Sequence, residues 1–279
     1  MKVSVITDAV SPESYFPAWH SYYGRLFGED NIHVFTYLRN RDAFHSFSVG
    51  GIHSLLDAYN DDLRKDAMTA FVADLLDSHD MVVRVDVDEF LVPDPAKFAN
   101  LYEYLESWSG THLTAFGFDI LQSPEEPVLD LGRPILTQRR FGYALTALNK
   151  TCVTRVPLKW GRGFHYCSQP PNFGDLFLFH AKRADIALQA IWNERMRAEA
   201  RGDQFVDSYY SWDMVKIQEY HESRLRLPLI TGPDALVRTD FNRHFLDNIR
   251  YVEKLGLFNG PYDIEQVNVV IPDTFRNAF

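Results

Sequence analysis

Cysteine is nearly absent from this chain: its 279 residues hold only Cys152 and Cys167, too few for a disulfide framework or a four-thiolate zinc site. No apolar run approaches the roughly 20 residues that span a bilayer. The N-terminus, M-K-V-S-V-I-T-D, enters a strand-like pattern without the apolar core of a secretory leader. Runs of Lys or Arg are missing as well, and the formal net charge is −10, which argues against a nucleic-acid backbone as partner. Internal repeats and low-complexity tracts are also lacking. What is present, 46% hydrophobic and 14% aromatic residues, suffices for a sizeable core and lies outside the disordered class. A cytoplasmic protein with reduced thiols is the expectation. To bind an anionic ligand, so acidic a chain needs a metal ion or a few placed cations.

Hydrophobic patterning gives an α/β chain. Residues 2–7 read as a first strand ending at Asp8. Ser11-Pro12-Glu13 reads as a helix start, followed by Tyr15, Trp19, Tyr22 and Leu26 at helical spacing and by Gly28 as a stop. Residues 32–37 form a second strand leading into Arg39-Asn40-Arg41-Asp42. A β-α-β opening implies a parallel sheet with its ligand crevice at the carboxyl ends of the strands. Gly50-Gly51 marks a loop. A helix is expected over 61–78 with Leu63, Ala67, Ala70, Phe71 and Leu75 inward, then a buried strand at 81–85 and a helix over 98–108. Residues 122–142 read as a long loop or lid, 151–155 and 175–179 as short strands, and 184–200 and 208–224 as helices. The expected organisation is a nucleotide-binding domain over 1–226, with a mainly helical extension over 227–279 packed on it.

Chemistry concentrates in D-V-D-E-F, residues 86–90. Asp86, Asp88 and Glu89 follow a fully apolar strand, and burying any of them is costly without an opposing cation or donor. On an extended strand Asp86 and Asp88 share a face and can share one ion, while Glu89 points away. Hard carboxylate oxygens suit Mg²⁺ or Mn²⁺, which bridge to phosphate. The bland alternative is a strand-end cluster facing solvent.

D-V-D-E-F, with the preceding helix and D-M-V-V-R-V strand, resembles the D-x-D-E-F signature of family-2-like glycosyltransferases with the GT-A fold. Trp19-His20 and Tyr23-Gly24 in the first helix resemble that family's W-x-x-(H/Y)-x-x-x-G pattern, and the similarity spans about residues 1–185. Residues 39–42 depart from the family's D-x-S-x-D wording. The resemblance implies a GT-A (Rossmann-like) fold: a mixed, mostly parallel sheet flanked by helices. It implies a metal-dependent transfer, with inversion, from a nucleotide-diphospho-sugar donor to a glycan or lipid-linked glycan acceptor. A lipid-linked acceptor would place the enzyme at a membrane periphery. Carried over, Asp86 contacts ribose or metal, Asp88 binds metal and diphosphate, and Asp8, Arg39 and Asp42 line the base and ribose pocket.

Other residues are assigned beside this frame. His180 ends an apolar strand and precedes Lys182 and Arg183; a C-terminal His completes the metal shell in GT-A enzymes, and a nearby Lys offsets leaving-group charge. A backbone-bonded strand-end His is the alternative. His165, in G-R-G-F-H-Y-C near Trp160, competes for that role or for holding the acceptor sugar, against a plain loop. Lys65 could reach the nucleotide, against a solvated helix face. Lys150 resembles a basic position of the family. An inverting transfer needs a carboxylate base, and Asp119 is the candidate, with Asp175, Asp185 and Asp213 as rivals. Two other functions compete with the glycosyltransferase. An aspartyl phosphotransferase of the D-x-D-x-[T/V] kind has Phe90 and the motif's late position against it. A non-catalytic nucleotide- or glycan-binding module needs no base.

Overall fold

The structure is a computed structural model that describes residues 1–55, 60–199, 210–236, 239–260 and 266–279. The chain opens with β1 (Val3–Asp8), α1 (Phe16–Phe27) and β2 (Ile32–Tyr37). The V-S-V-I-T-D strand is buried along nearly its whole length, as a strand covered on both faces requires. Helix α1 begins later than its sequence suggests. Ser11 instead accepts from the Glu13 N–H at 3.2 Å in a turn, and Pro17 supplies the first-turn proline. Gly28 ends the helix at φ 85°, a left-handed conformation that glycine adopts cheaply.

Gly51 does not extend the Gly50 loop; it starts a further strand, β3 (Gly51–Leu55), parallel to β2. Helix α2 (Asp61–Leu76) is capped by Asn60, whose side chain accepts from the Leu63 N–H at 3.0 Å. Its buried face is Met68, Val72 and Leu75, while Leu63 is 49% exposed. The expected phase was displaced because small alanines scattered along the helix blur its apolar stripe. Val72→Ala should therefore cost about 1–3 kcal/mol of stability, from lost burial and the cavity left behind. Leu63→Ala should stay within about 0.5 kcal/mol. Chemical denaturation of both variants checks the phase, and equal losses would contradict it.

The remaining elements are β4 (Met81–Arg84), β5 (Glu89–Pro93), α3 (Leu101–Ser107), β6 (His112–Leu121), β7 (Phe141–Ala144), β8 (Thr151–Thr154), β9 (Phe173–His180), α4 (Ile186–Glu199) and α5 (Met214–Leu225). They are followed by β10 (Leu229–Ile230), α6 (Thr239–Asp247), β11 (Arg250–Val252), β12 (Leu257–Asn259) and β13 (Asn268–Val270). The central sheet runs β10-β13-β7-β6-β8-β4-β1-β2-β3. Its β3-β2-β1-β4 half is parallel, and β8 enters antiparallel between β4 and β6. Strand β9 lies parallel to β6 and carries β5 antiparallel on its other edge. This is the expected α/β architecture: a mixed sheet with a parallel block, flanked by helices. Among the described residues no helix is long and apolar enough to cross a membrane.

Two expectations change. The extension from residue 227 is not mainly helical: its described part holds one nine-residue helix and four short strands, and β13 joins the central sheet against β7. The stretch 122–140 is irregular, as read, but is not a free lid. Leu129, Ile135 and Leu136 are buried beneath it, and the fully buried Arg139 side chain donates to the Ala184 and Pro127 carbonyls beside Asp185.

Candidate functional site

Sheet register assembles the site. The pairings Glu89↔His180 and Asp119↔His180 set these three residues side by side across β5, β9 and β6. The acidic motif itself is not extended. Strand β4 ends at Arg84, and the Glu89 N–H donates to the Asp86 carbonyl at 3.0 Å. The Asp86 N–H in turn donates to Glu89 Oε2 at 2.8 Å. Residues 86–89 thus form a closed turn in which strand alternation does not apply. Glu89, expected to point away, is fully buried and shares a cation with Asp86.

That cation is Lys150, whose Nζ lies 2.7 Å from Asp86 Oδ2 and 2.6 Å from Glu89 Oε1. Its position depends on Gly117 in β6: a Cβ there would lie 2.2 Å from Leu148 Cβ, so only glycine lets the turn before Lys150 press so close. Arg84 takes the other oxygen of Asp86 and lies 3.1 Å from Asp8 at the end of β1. Arg64 of α2 donates to both oxygens of Asp8 at 2.8 and 2.7 Å and stands 3.8 Å from Asp86. The Phe164 ring covers this pair of arginines, 3.2 Å from the Arg84 guanidinium carbon and 5.0 Å from that of Arg64, a cation–π arrangement. Phe164 holds φ at 58°, a left-handed backbone costing on the order of 1 kcal/mol.

Charges follow the geometry. Burial would raise the Asp86 carboxyl, but Arg84, Lys150 and Arg64 outweigh it and hold that group well below the usual carboxylate range. Burial works against the Lys150 ammonium too, and Asp86 and Glu89 reverse it so that its pKa is raised. Glu89 is pushed up by burial and then by Asp86, against Lys150. His165 presents Nδ1 to the Ala147 carbonyl at 2.6 Å; burial and then Lys150 push it down to about 3.

A second group adjoins the first. His180 Nδ1 lies 2.5 Å from Asp119 Oδ1, and its Nε2 lies 3.4 Å from Asp88 Oδ2. Arg183 Nε donates to the other Asp119 oxygen at 3.0 Å. Arg183 is itself stacked on Tyr220 of α5, with its guanidinium carbon 4.0 Å from the ring centre. Burial disfavours the imidazolium, but Asp88 and then Asp119 raise His180 to about 10. Burial would likewise raise Asp119, and Arg183 and His180 hold it far below the usual range.

The structure thus brings together Asp8, Asp86, Asp88, Asp119, His165 and His180. Asp119, expected as the base, has its two oxygens engaged by His180 and Arg183, which also hold its proton affinity down. Its rivals are structural. Asp185 accepts from the Leu129 and Leu188 N–H groups, Asp213 caps α5, and Asp175 pairs with Lys97 at the far end of β9. Asp42 is a surface group, 94% exposed and 3.7 Å from His45. Arg39 is exposed over the Tyr37 ring. Lys65 pairs with Asp66 and Asp62 on its own helix, the solvated-face alternative, while its neighbour Arg64 reaches the site. Lys182 is buried, its ammonium 4.4 Å from the Tyr210 ring centre.

Sequence reading missed Arg64, Arg84 and Phe164, and named Arg183 beside His180 without its contact to Asp119. A signal existed for Arg84: an arginine inside an apolar strand is almost never buried without a partner, and three acids stand next to it.

The expected three-ligand metal set changes as well. Both oxygens of Asp86 are held by Arg84 and Lys150, and among the described residues no group of three His, Cys, Asp or Glu could hold an ion. Asp88 and Asp119 favour the imidazolium of His180, so a two-ligand site at Asp88 and His180 Nε2 fits an ion that displaces the Nε2 proton on binding. The Asp119 contact on the other imidazole nitrogen is the support that metal-bound histidines use. Mg²⁺ and Mn²⁺ accept so few protein ligands when phosphate and water complete the shell.

No family model matches the chain, and no curated protein does. Among solved structures, a cytidylyltransferase from Leptospira borgpetersenii aligns at 15% identity and TM-score 0.27, covering 41% of this chain and 54% of that one. A mannose-1-phosphate geranyltransferase from Thermus thermophilus aligns at 13% identity and TM-score 0.34, covering 99% and 76%. A CMP:2-keto-3-deoxy-manno-octonic acid synthetase complexed with CTP aligns at 12% and 0.29, covering 79% and 86%.

Proposed function

We propose that this chain is a metal-dependent glycosyltransferase that moves a sugar from a nucleotide-diphospho-sugar to an acceptor hydroxyl, with inversion, in glycan or polysaccharide assembly. The reading rests on one observation: Asp88, His180 and Asp119 are linked in series beside a turn whose Asp86 is held by Lys150 and Arg84. Asp88 and His180 would hold Mn²⁺ or Mg²⁺, which when bound disperses charge on a departing diphosphate. Asp119, steadied by Arg183, keeps His180 turned toward Asp88. Lys150 and Arg84 fix the 86–89 turn and add positive potential where negative charge develops. In this reading Asp8 and Asp86 would contact the ribose, Lys182 the diphosphate and His165 the acceptor sugar. The acceptor is a glycan, free or lipid-linked.

Calorimetry with a panel of nucleoside diphosphates should show binding that requires Mn²⁺ or Mg²⁺. Asp88→Ala should weaken it by about 100-fold or more, the upper range for disturbing a metal centre, while circular dichroism stays unchanged. A wild-type protein that binds no member of the panel in either metal overturns the reading. One observation favours a second function, a non-catalytic nucleotide- or glycan-binding module: both oxygens of Asp119, the candidate base, are occupied. Metal-dependent binding without transfer or donor hydrolysis, over a range of donors and acceptors, would select that alternative.

A further inference from the structure

A second pair of ligating side chains lies outside this site, on the other half of the sheet. His33 of β2 and His53 of β3 come from neighbouring parallel strands, with His33 opposite Gly51 and Phe35 opposite His53. The two imidazoles therefore meet diagonally on one face. His33 Nδ1 lies 3.2 Å from His53 Nε2. Two nitrogens bound at about 2.0–2.1 Å to one tetrahedral ion stand about 3.4 Å apart, so the rings already have the spacing of a chelating pair.

Gly51 supplies an independent observation. A Cβ at this position would lie 2.8 Å from His53 Nε2 and 3.0 Å from His33 Nδ1. Only glycine therefore lets the two rings approach each other here; any side chain would crowd both facing nitrogens. The ring orientations are fixed by aromatic neighbours: Phe71 of α2 lies 4.3 Å from His53 and 5.1 Å from His33, and Phe35 stacks on His53 at 4.8 Å. Both histidines are half-buried, so water can complete a coordination shell. Burial, then His53 and His79, push His33 down to about 4; burial and Arg41 lower His53. Both rings thus favour the neutral form that binds metal.

We propose that His33 Nδ1 and His53 Nε2 form a two-imidazole site for a borderline transition ion of the Zn²⁺, Ni²⁺ or Cu²⁺ class, with Gly51 the residue whose missing side chain lets the two rings meet. Imidazole prefers these ions to Mg²⁺, so the site differs in chemistry as well as place from Asp88 and His180. An ion here ties β2 to its edge partner β3. When the rings bond to each other, one of the two facing nitrogens carries the single proton of a neutral imidazole; on binding the ion, that proton moves to the other nitrogen of the same ring, and both facing lone pairs reach the ion with no net proton released.

Titration of the full chain with Cu²⁺, followed by electron paramagnetic resonance, tests this. The expected spectrum shows one equivalent of Cu²⁺ with coupling to two imidazole nitrogens. The signal should persist in Asp88→Ala, which separates it from the other site, and vanish in the His33→Gln/His53→Gln double variant. Gly51→Ala keeps both ligands but its methyl group pushes the two rings out of register, and should weaken uptake of Zn²⁺ by calorimetry at least tenfold. The proposal is overturned if the wild type lacks the two-imidazole signal, if the double variant retains it, or if a folded Gly51→Ala binds Zn²⁺ as tightly as the wild type.

Discussion

Lys150→Met should lower the unfolding free energy by about 3–5 kcal/mol, the usual cost of removing one partner from a buried ion cluster. The ammonium lies between Asp86 and Glu89, whose own backbone hydrogen bonds hold them in one turn. Without it, Arg84 still reaches Asp86, but the fully buried Glu89 carboxyl is left facing a like charge. At about 2–4 °C per kcal/mol for a chain approaching this size, the melting temperature should fall by roughly 10 °C in calorimetry. Glu89→Gln, added to Lys150→Met, removes the stranded charge and should restore part of the loss. Lys97→Met is the contrast: Lys97 also makes a 2.6 Å carboxylate contact, with Asp175, but is half exposed and should contribute under about 1 kcal/mol. A Lys150→Met protein melting within a degree or two of wild type would show that the cluster does not hold the turn.

The sequence discloses this arrangement unevenly, for physical reasons. The strands that position the site were legible because central parallel strands are apolar on both faces, so V-S-V-I-T and M-V-V-R stand out. Asp88, Asp119 and His180 were legible because strand-end polar residues line a crevice, and the sheet register does bring them together. Arg64 was not, and Lys150 was noted without its partners, because the pairs they make with Asp8 and Asp86 span 56 and 64 residues; local spacing carries no trace of such distances. Arg64, one helical step or about 100° of rotation from Lys65, points into the site while Lys65 pairs along its own helix. The reading of Glu89 failed because alternation assumes a continuous strand, whereas Arg84 ends β4 and the chain turns. The strands after residue 228 are two or three residues long, too short for a period-2 pattern to show. Their pairing with β7 and with one another decides their conformation.

Acid should destabilise the protein well above the pH at which its carboxylates titrate. His221 in α5 is buried beside Gln189 Oε1 at 3.2 Å, and burial followed by Arg183 pushes it down to about 4. His165 is pushed down to about 3 by burial and then by Lys150. Above an unfolded-state pKa of about 6.5, both states hold these rings neutral and neither histidine makes stability depend on pH. Below it the unfolded chain binds protons that the fold refuses, at these two rings and likewise at His33 and His53, so stability falls with pH at up to about 1.4 kcal/mol per unit for each ring. Between pH 6.5 and 4 the His221 and His165 pair should remove on the order of 5 kcal/mol. Asp86 and Asp119, whose protons are held off in the fold, add their own loss only below about pH 4. Urea midpoints measured from pH 7 to 4.5 should therefore drop steeply before Asp86 and Asp119 contribute, offset in part by Glu89, whose raised carboxyl takes up its proton earlier in the fold. His221→Gln and His165→Gln should each flatten that drop, whatever they cost at pH 7. An unchanged midpoint down to pH 5 would mean that these rings accept protons in the folded state, and that the burial assigned to them is wrong.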